Sequence, residues 1–130
     1  MEWDVSTPWY HGSPTKLTSL RTGSTITQDR ELARIFSHKP GLVSQDVDGA
    51  GKLILKHNGT QPGYLYRLVE PIGPADIEPH PASTMAAGQE WLTRCELQVE
   101  LVEPTIIDPA EVLSIAEVVA LYERAVAGTA

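Results

Sequence analysis

The side chains best suited to chemistry fall in three short runs: Tyr10-His11-Gly12-Ser13, Ser24-Thr25-Ile26-Thr27, and Glu90 within "GQEWL". A neutral histidine offers one ring nitrogen as a donor and the other as an acceptor. A glycine beside it lets a ligand approach the main chain, because no Cβ stands in the way. Together the pair could hold a ligand through an imidazole and through exposed backbone. Glu90 would add a carboxylate at the start of an apolar strand. Each piece has a structural alternative, a strand ending in a turn for His11-Gly12 and a solvated acid for Glu90. Packing alone leaves all three runs unexplained.

Better-known site patterns are absent. "DGAGK" fails as a phosphate loop, which needs glycine where Asp46 stands and Ser or Thr where Leu53 stands. There is no GxGxxG dinucleotide fingerprint and no GxSxG elbow. "DVDG" lacks the remaining calcium-loop ligands. His11, His38, His57 and His80 are widely spaced and Cys95 is the single cysteine, so no zinc pattern and no internal disulfide can form. "NGT" at 58–60 reads as a turn.

The elements that must position these residues are those of one small domain. A chain of 130 residues with 42% apolar and 21% charged content folds around a single core. Ten Gly and ten Pro imply many turns and a strand-rich fold. The formal charge of −7, with Lys and Arg scattered, disfavours duplex DNA as a partner. No apolar run approaches the roughly 18 residues of a membrane span. "MEWDVSTPW" carries acids where a signal peptide would need basic residues. A cytoplasmic setting is expected.

"PWYHG" reads as a first strand closed by a Gly12-Ser13-Pro14 turn. "TKLTSLRTG" reads as a loop or one helical turn, and "STIT" as a brief strand. Thr27 is the expected N-cap of a helix over 28–38, whose buried face is Leu32, Ile35 and Phe36. Residues 40–51 read as a surface loop, 52–57 and 64–71 as strands, and 71–89 as a long loop with four prolines. In "EWLTRCELQVELVEPTII" Leu97, Val99 and Leu101 alternate with Glu96, Gln98 and Glu100, one face buried and one wet. Asp108-Pro109 and Glu111 resemble a helix start. An amphipathic helix over 109–126 would then carry Val112, Ile115, Val119, Tyr122 and Val126 on one face. The fold class is α+β, one domain over 1–130.

In this order the motifs resemble the ADP-ribosyltransferase superfamily. The chain gives "WYHGS", then "GSTITQDRELARIF", then "QEWLTRCELQVELV", so the likeness spans residues 9–103. "YLYRLVEPIGP" at 64–74 is similar to a run in the rifamycin-modifying branch. The resemblance implies a split β-sheet core with a few short helices and a C-terminal helix. It implies NAD as co-substrate and a mono-ADP-ribosyl transfer. His11 would hydrogen-bond a ribose hydroxyl of NAD, and the Gly12 backbone would hold the nicotinamide carboxamide. Tyr10, Ser13, Thr25 and Thr27 would complete the dinucleotide site. Glu90 would face the bond that breaks, stabilising the positive sugar of the transition state.

This sequence departs from the family in two places. Many relatives carry a tyrosine on the second strand to stack on nicotinamide, where Thr25 stands here; Tyr10, Trp9 or Phe36 are the substitutes. The rifamycin branch places its acid after "EPxGP", where this chain has Asp76 and Glu78, with Glu78 the reserve candidate behind Glu90. The acceptor would be a small molecule or a protein. A toxin effector with its antitoxin or immunity partner is one form of the expectation. The alternative is an inactive module of the same fold that binds NAD, a nucleotide or a protein. A related RNA 2′-phosphotransferase ranks last, because Arg21, Arg34 and Arg67 are scattered and phosphate chemistry would need them together.

Overall fold

A computed structural model describes residues 6–81 and 89–129, with Leu53 and the last six residues described by backbone alone. Among the described residues, nine strands and two α-helices follow one another in an α+β arrangement, and every pair of these strands is antiparallel. The strands are β1 (Tyr10–Ser13), β2 (Ser19–Leu20), β3 (Thr25–Ile26), β4 (Val43–Val47), β5 (Leu53–His57), β6 (Gly63–Leu68), β7 (Ile77–Pro79), β8 (Trp91–Thr93) and β9 (Leu97–Thr105). Helix α1 (Arg30–Phe36) lies between β3 and β4, and α2 (Ile115–Thr129) closes the chain.

Three sheets result: β1-β6-β9-β2, β3-β8-β7 and the hairpin β4-β5. The first two meet at one isolated bridge between Tyr10 and Thr27, so they form one curled layer. Its concave side is the core, with Trp9, Leu20, Leu68 and Leu97 from the larger sheet and Ile26, Ile77 and Trp91 from the smaller. Trp9 and Trp91 meet edge to face, ring centroids 5.8 Å apart, the arrangement that aromatic quadrupoles favour. On the other face of β1 and β6, α1 lays down Leu32, Ala33 and Ile35, all buried.

The local chemistry of α1 explains its start. Asp29 is the N-cap, accepting from the N–H of Glu31 and of Leu32 at 3.1 Å each. The expected cap, Thr27, is two residues early. Its hydroxyl instead accepts from the Asp29 N–H at 3.1 Å, the turn that presents Asp29 to the helix. The carboxylate wins because it reaches two orphan N–H groups and carries the charge that a helix N-terminus favours.

Other expectations need correction. Gly12 lies inside β1, paired with Leu65, and not in a turn. Residues 40–51 contain β4, with Asp48 tying the hairpin turn by accepting from the N–H of Ala50 and Lys52. Ser19–Leu20 pair with β9 as a short strand, and β7 stands within the 71–89 segment, of which 82–88 lie outside the described residues. The alternation along β9 holds at Leu97 but fails at Leu101, which is 51% exposed. The register with β6 shifts at the next residue, Val102, which is the extra one between the partners of Leu65 and Tyr66.

The C-terminal helix begins later than its first signal. Asp108 caps a single 3-10 turn, Pro109–Glu111, and the chain then runs extended. Leu113 is buried and its N–H donates to the His57 carbonyl at 2.8 Å, while Val112 bridges His57. Pairing with β5 thus overrides local propensity. The helix restarts at a capping box in which Ser114 and Glu117 exchange hydrogen bonds. Those bonds and Lys56 hold the Glu117 carboxyl down to about 2. Val112, Ile115, Val119 and Tyr122, expected to share a face, are all exposed, and the Val126 side chain lies outside the described residues. Among the described residues no helix is long and apolar enough to cross a membrane.

Candidate functional site

Where the two sheets meet, they also part. Tyr10 donates to the Thr27 carbonyl at 2.7 Å and accepts from its N–H at 3.0 Å. Backbone groups alternate sides along a strand, so the N–H and C=O of Gly12 point the same way, into the space beside β3. No ladder forms there, because Tyr10–Thr27 is an isolated bridge. The His11 ring spans the gap: Nδ1 donates to the Thr25 carbonyl at 2.6 Å. Burial lowers the His11 pKa, partly offset by that bond. The ring is therefore neutral at pH 7 with its proton on Nδ1, and Nε2 remains an acceptor.

Gly12 has a packing reason as well as a chemical one. A Cβ there would stand 1.9 Å from the Ala33 carbonyl oxygen and 2.6 Å from the Ser37 nitrogen. The helix sits this low because Gly63, on the neighbouring strand, is equally bare beneath Ser37. The close approach of α1 makes one wall of an open cavity of about 540 Å³, within the 300–1,000 Å³ that ligand sites span. Its walls are Tyr10, His11, Gly12 and Ser13 of β1, Thr25 and Thr27, Ala33 and Phe36 of α1, the Lys39-Pro40 segment, and Glu90. All seven residues that the resemblance assigned to the dinucleotide site (Tyr10, His11, Gly12, Ser13, Thr25, Thr27 and Glu90) line this one space.

Glu90 owes its place to strand alternation. Leu92 stands opposite Thr25, and Glu90, two residues earlier, shares its face. The Glu90 carbonyl accepts from the His80 N–H at 3.1 Å, which ties the segment before β8 to that following β7. Glu78 pairs with Leu92 on β7 and shares the same face one strand further out, exposed. Asp76 is committed elsewhere: its carboxylate accepts from the Gly73 N–H at 2.8 Å and faces the Cys95 thiol. That carboxylate, after burial, raises the Cys95 pKa.

Several side chains are settled by these contacts. Trp9 is 5% exposed within the core and cannot cover a ligand, leaving Tyr10 and Phe36 as the aromatics in the wall. The Ser13 hydroxyl accepts from the Thr15 N–H and Thr27 from Asp29, so both serve turns. Sequence reading missed Lys39 and Pro40. No local pattern marks them, since only the folding of α1 onto β1 and β6 brings its C-terminal end to the cavity. A second hollow, about 500 Å³ between Thr7-Pro8 and Val69–Ile72, is lined by Trp9 but by none of those seven residues. Among the described residues no group of His, Cys, Asp and Glu could hold a metal ion. No family model matches the chain, and no curated protein or solved structure is significantly similar to it.

Proposed function

We propose that this cavity binds NAD and that the protein is a mono-ADP-ribosyltransferase with a split-sheet core of the ADP-ribosyltransferase kind. One observation carries the reading: Gly12, His11 and Glu90 line one cavity where two sheets separate. In this reading the Gly12 N–H and C=O pair with the nicotinamide carboxamide, and His11 accepts from a ribose hydroxyl. Tyr10 and Phe36 supply the apolar cover that Thr25 cannot.

The chemistry asked of the protein is modest. Breaking the nicotinamide–ribose bond leaves the sugar cationic, and a fixed carboxylate lowers the barrier by opposing that charge. The bonding electrons neutralise the nicotinamide ring, so no acid is needed to protonate the leaving group. An acceptor nucleophile then bonds to the sugar carbon and loses its proton. A small molecule or a protein fits the net charge of −7 better than duplex DNA as that acceptor. An effector paired with an antitoxin is one such setting.

Purified protein incubated with NAD should release nicotinamide, and Glu90→Gln should lower turnover about a hundredfold, the cost of one well-aimed electrostatic group. Glu78→Gln should retain most of it. If instead Glu78→Gln is the inactive variant, the acid belongs to β7. A second reading, a non-catalytic NAD-binding module, is favoured by Thr25 in place of the stacking tyrosine. It predicts stabilisation by NAD, about 2.7 kcal/mol at a hundredfold excess over Kd, without nicotinamide release. If NAD neither stabilises the protein nor is cleaved, both readings fall.

A further inference from the structure

We propose that Lys39 is the anion-binding residue of this cavity and holds the diphosphate of the ligand. The inference rests on the NAD reading above and goes beyond it by assigning the phosphate end. Among the described residues, Lys39 is the one lysine or arginine in the cavity wall. Arg30, Arg34, Lys56 and Arg67 are each occupied by a glutamate, and Lys39 takes part in none of these ion pairs. The same wall carries the Glu90 carboxylate, on a chain whose formal charge is −7. A diphosphate entering such a site would be repelled unless a cation stood in it, and screening limits a cation's reach to about 8 Å. Lys39 meets that requirement. Carboxylate and ammonium within one cavity match a ligand that is cationic at its nicotinamide end and anionic at its middle.

The backbone gives a second, independent reason. Lys39 has φ +54°, the one positive φ of a non-glycine residue among those described. The chain reverses there after α1, with the Lys39 N–H on the Phe36 carbonyl at 3.0 Å, before Pro40 returns to the cavity wall. Glycine is the residue that such a left-handed position favours, as at Gly23 and Gly51. A lysine held there at a cost in stability points to a use for its ammonium. The rival explanation is a charge placed to satisfy the C-terminal end of the helix dipole, and the two explanations diverge in a single variant.

Lys39→Gly should leave the melting temperature unchanged or raise it, while weakening ADP-ribose binding about tenfold and flattening its salt dependence. Affinity for nicotinamide riboside, which has no phosphate, should not change, and Lys39→Arg should retain ADP-ribose binding. If Lys39→Gly binds ADP-ribose as wild type does, the assignment of Lys39 falls and the NAD reading stands. Equal losses for both probes, or a lower melting temperature, would make the residue structural and overturn the assignment. If wild type binds neither NAD nor ADP-ribose, the NAD reading fails and takes this inference with it.

Discussion

At Gly12 two demands coincide on one residue. The backbone must face the cavity, and the α-carbon must let Ala33 and Ser37 lie almost on top of it. Gly12→Ala should therefore cost about 3 kcal/mol, the upper range for forcing a methyl into a packed site. Denaturant unfolding checks this, and a change below about 0.5 kcal/mol would mean that α1 does not sit as described. His11 is constrained in a different way, since its Nδ1–H is used by Thr25 and only Nε2 is left for a ligand. Sequence reading could name these residues because their types carry the signal. It could not show that Ser13 and Thr27 turn their hydroxyls inward to cap turns, or that Trp9 is core. Those outcomes depend on partners far along the chain.

Among the elements, α1 is the one that connects site and scaffold. Arg34 grips Glu111 at 2.7 and 2.5 Å, pinning the middle of α1 to the C-terminal segment, and Glu111 together with Glu31 pushes the guanidinium pKa up. Just beyond α1, His38 stacks on His57 of β5, ring centroids 5.3 Å apart and both fully buried. Their Nδ1 atoms play opposite roles: His38 Nδ1 donates to the Gln61 carbonyl, whereas His57 Nδ1 accepts from the Gly59 N–H. Burial first, and then His38, lower the His57 pKa. Arg34 acts in the same direction and Glu111 opposes it.

A histidine whose folded pKa is depressed lends stability that is complete above the unfolded value near 6.5 and lost as pH falls through the folded one. The melting temperature should fall between pH 7 and pH 5, with a limiting slope of about 1.4 kcal/mol per pH unit for each such group. His57→Asn should lower it at pH 7 and flatten the curve, without abolishing the slope, since His11 titrates in the same direction. An unchanged slope would rule out this origin. The existence of α1 was legible from its spacing of apolar residues. The late start of α2 was not, because burial of Leu113 and its bond to His57 decide it and no local signal reports either.

Over the whole molecule, the α+β class and antiparallel strand content follow from turn density and alternation. Strand partners do not, which is why the sequence alone reads the β4 and β7 regions as loops and the β2 region as a loop or helical turn: two- to five-residue strands form only when a long-range neighbour completes them. The candidate cavity was legible as a set of residues and illegible as a place, since Lys39-Pro40 reach it only through tertiary folding. The Tyr10–Thr27 bridge has a dynamic consequence. Among the described residues, the two Tyr10–Thr27 backbone hydrogen bonds and the His11 bond to the Thr25 carbonyl zip the larger sheet to the smaller one beside the cavity, so separating them breathes the site open without breaking either ladder. Amide exchange at Tyr10 and Thr27 should be much faster than at Leu65 or Trp91 inside the ladders, and NAD should slow it by spanning the same cleft. Equal protection at all four amides would show the two sheets moving as one body, and the timing of that single seam would then no longer set how quickly a ligand enters.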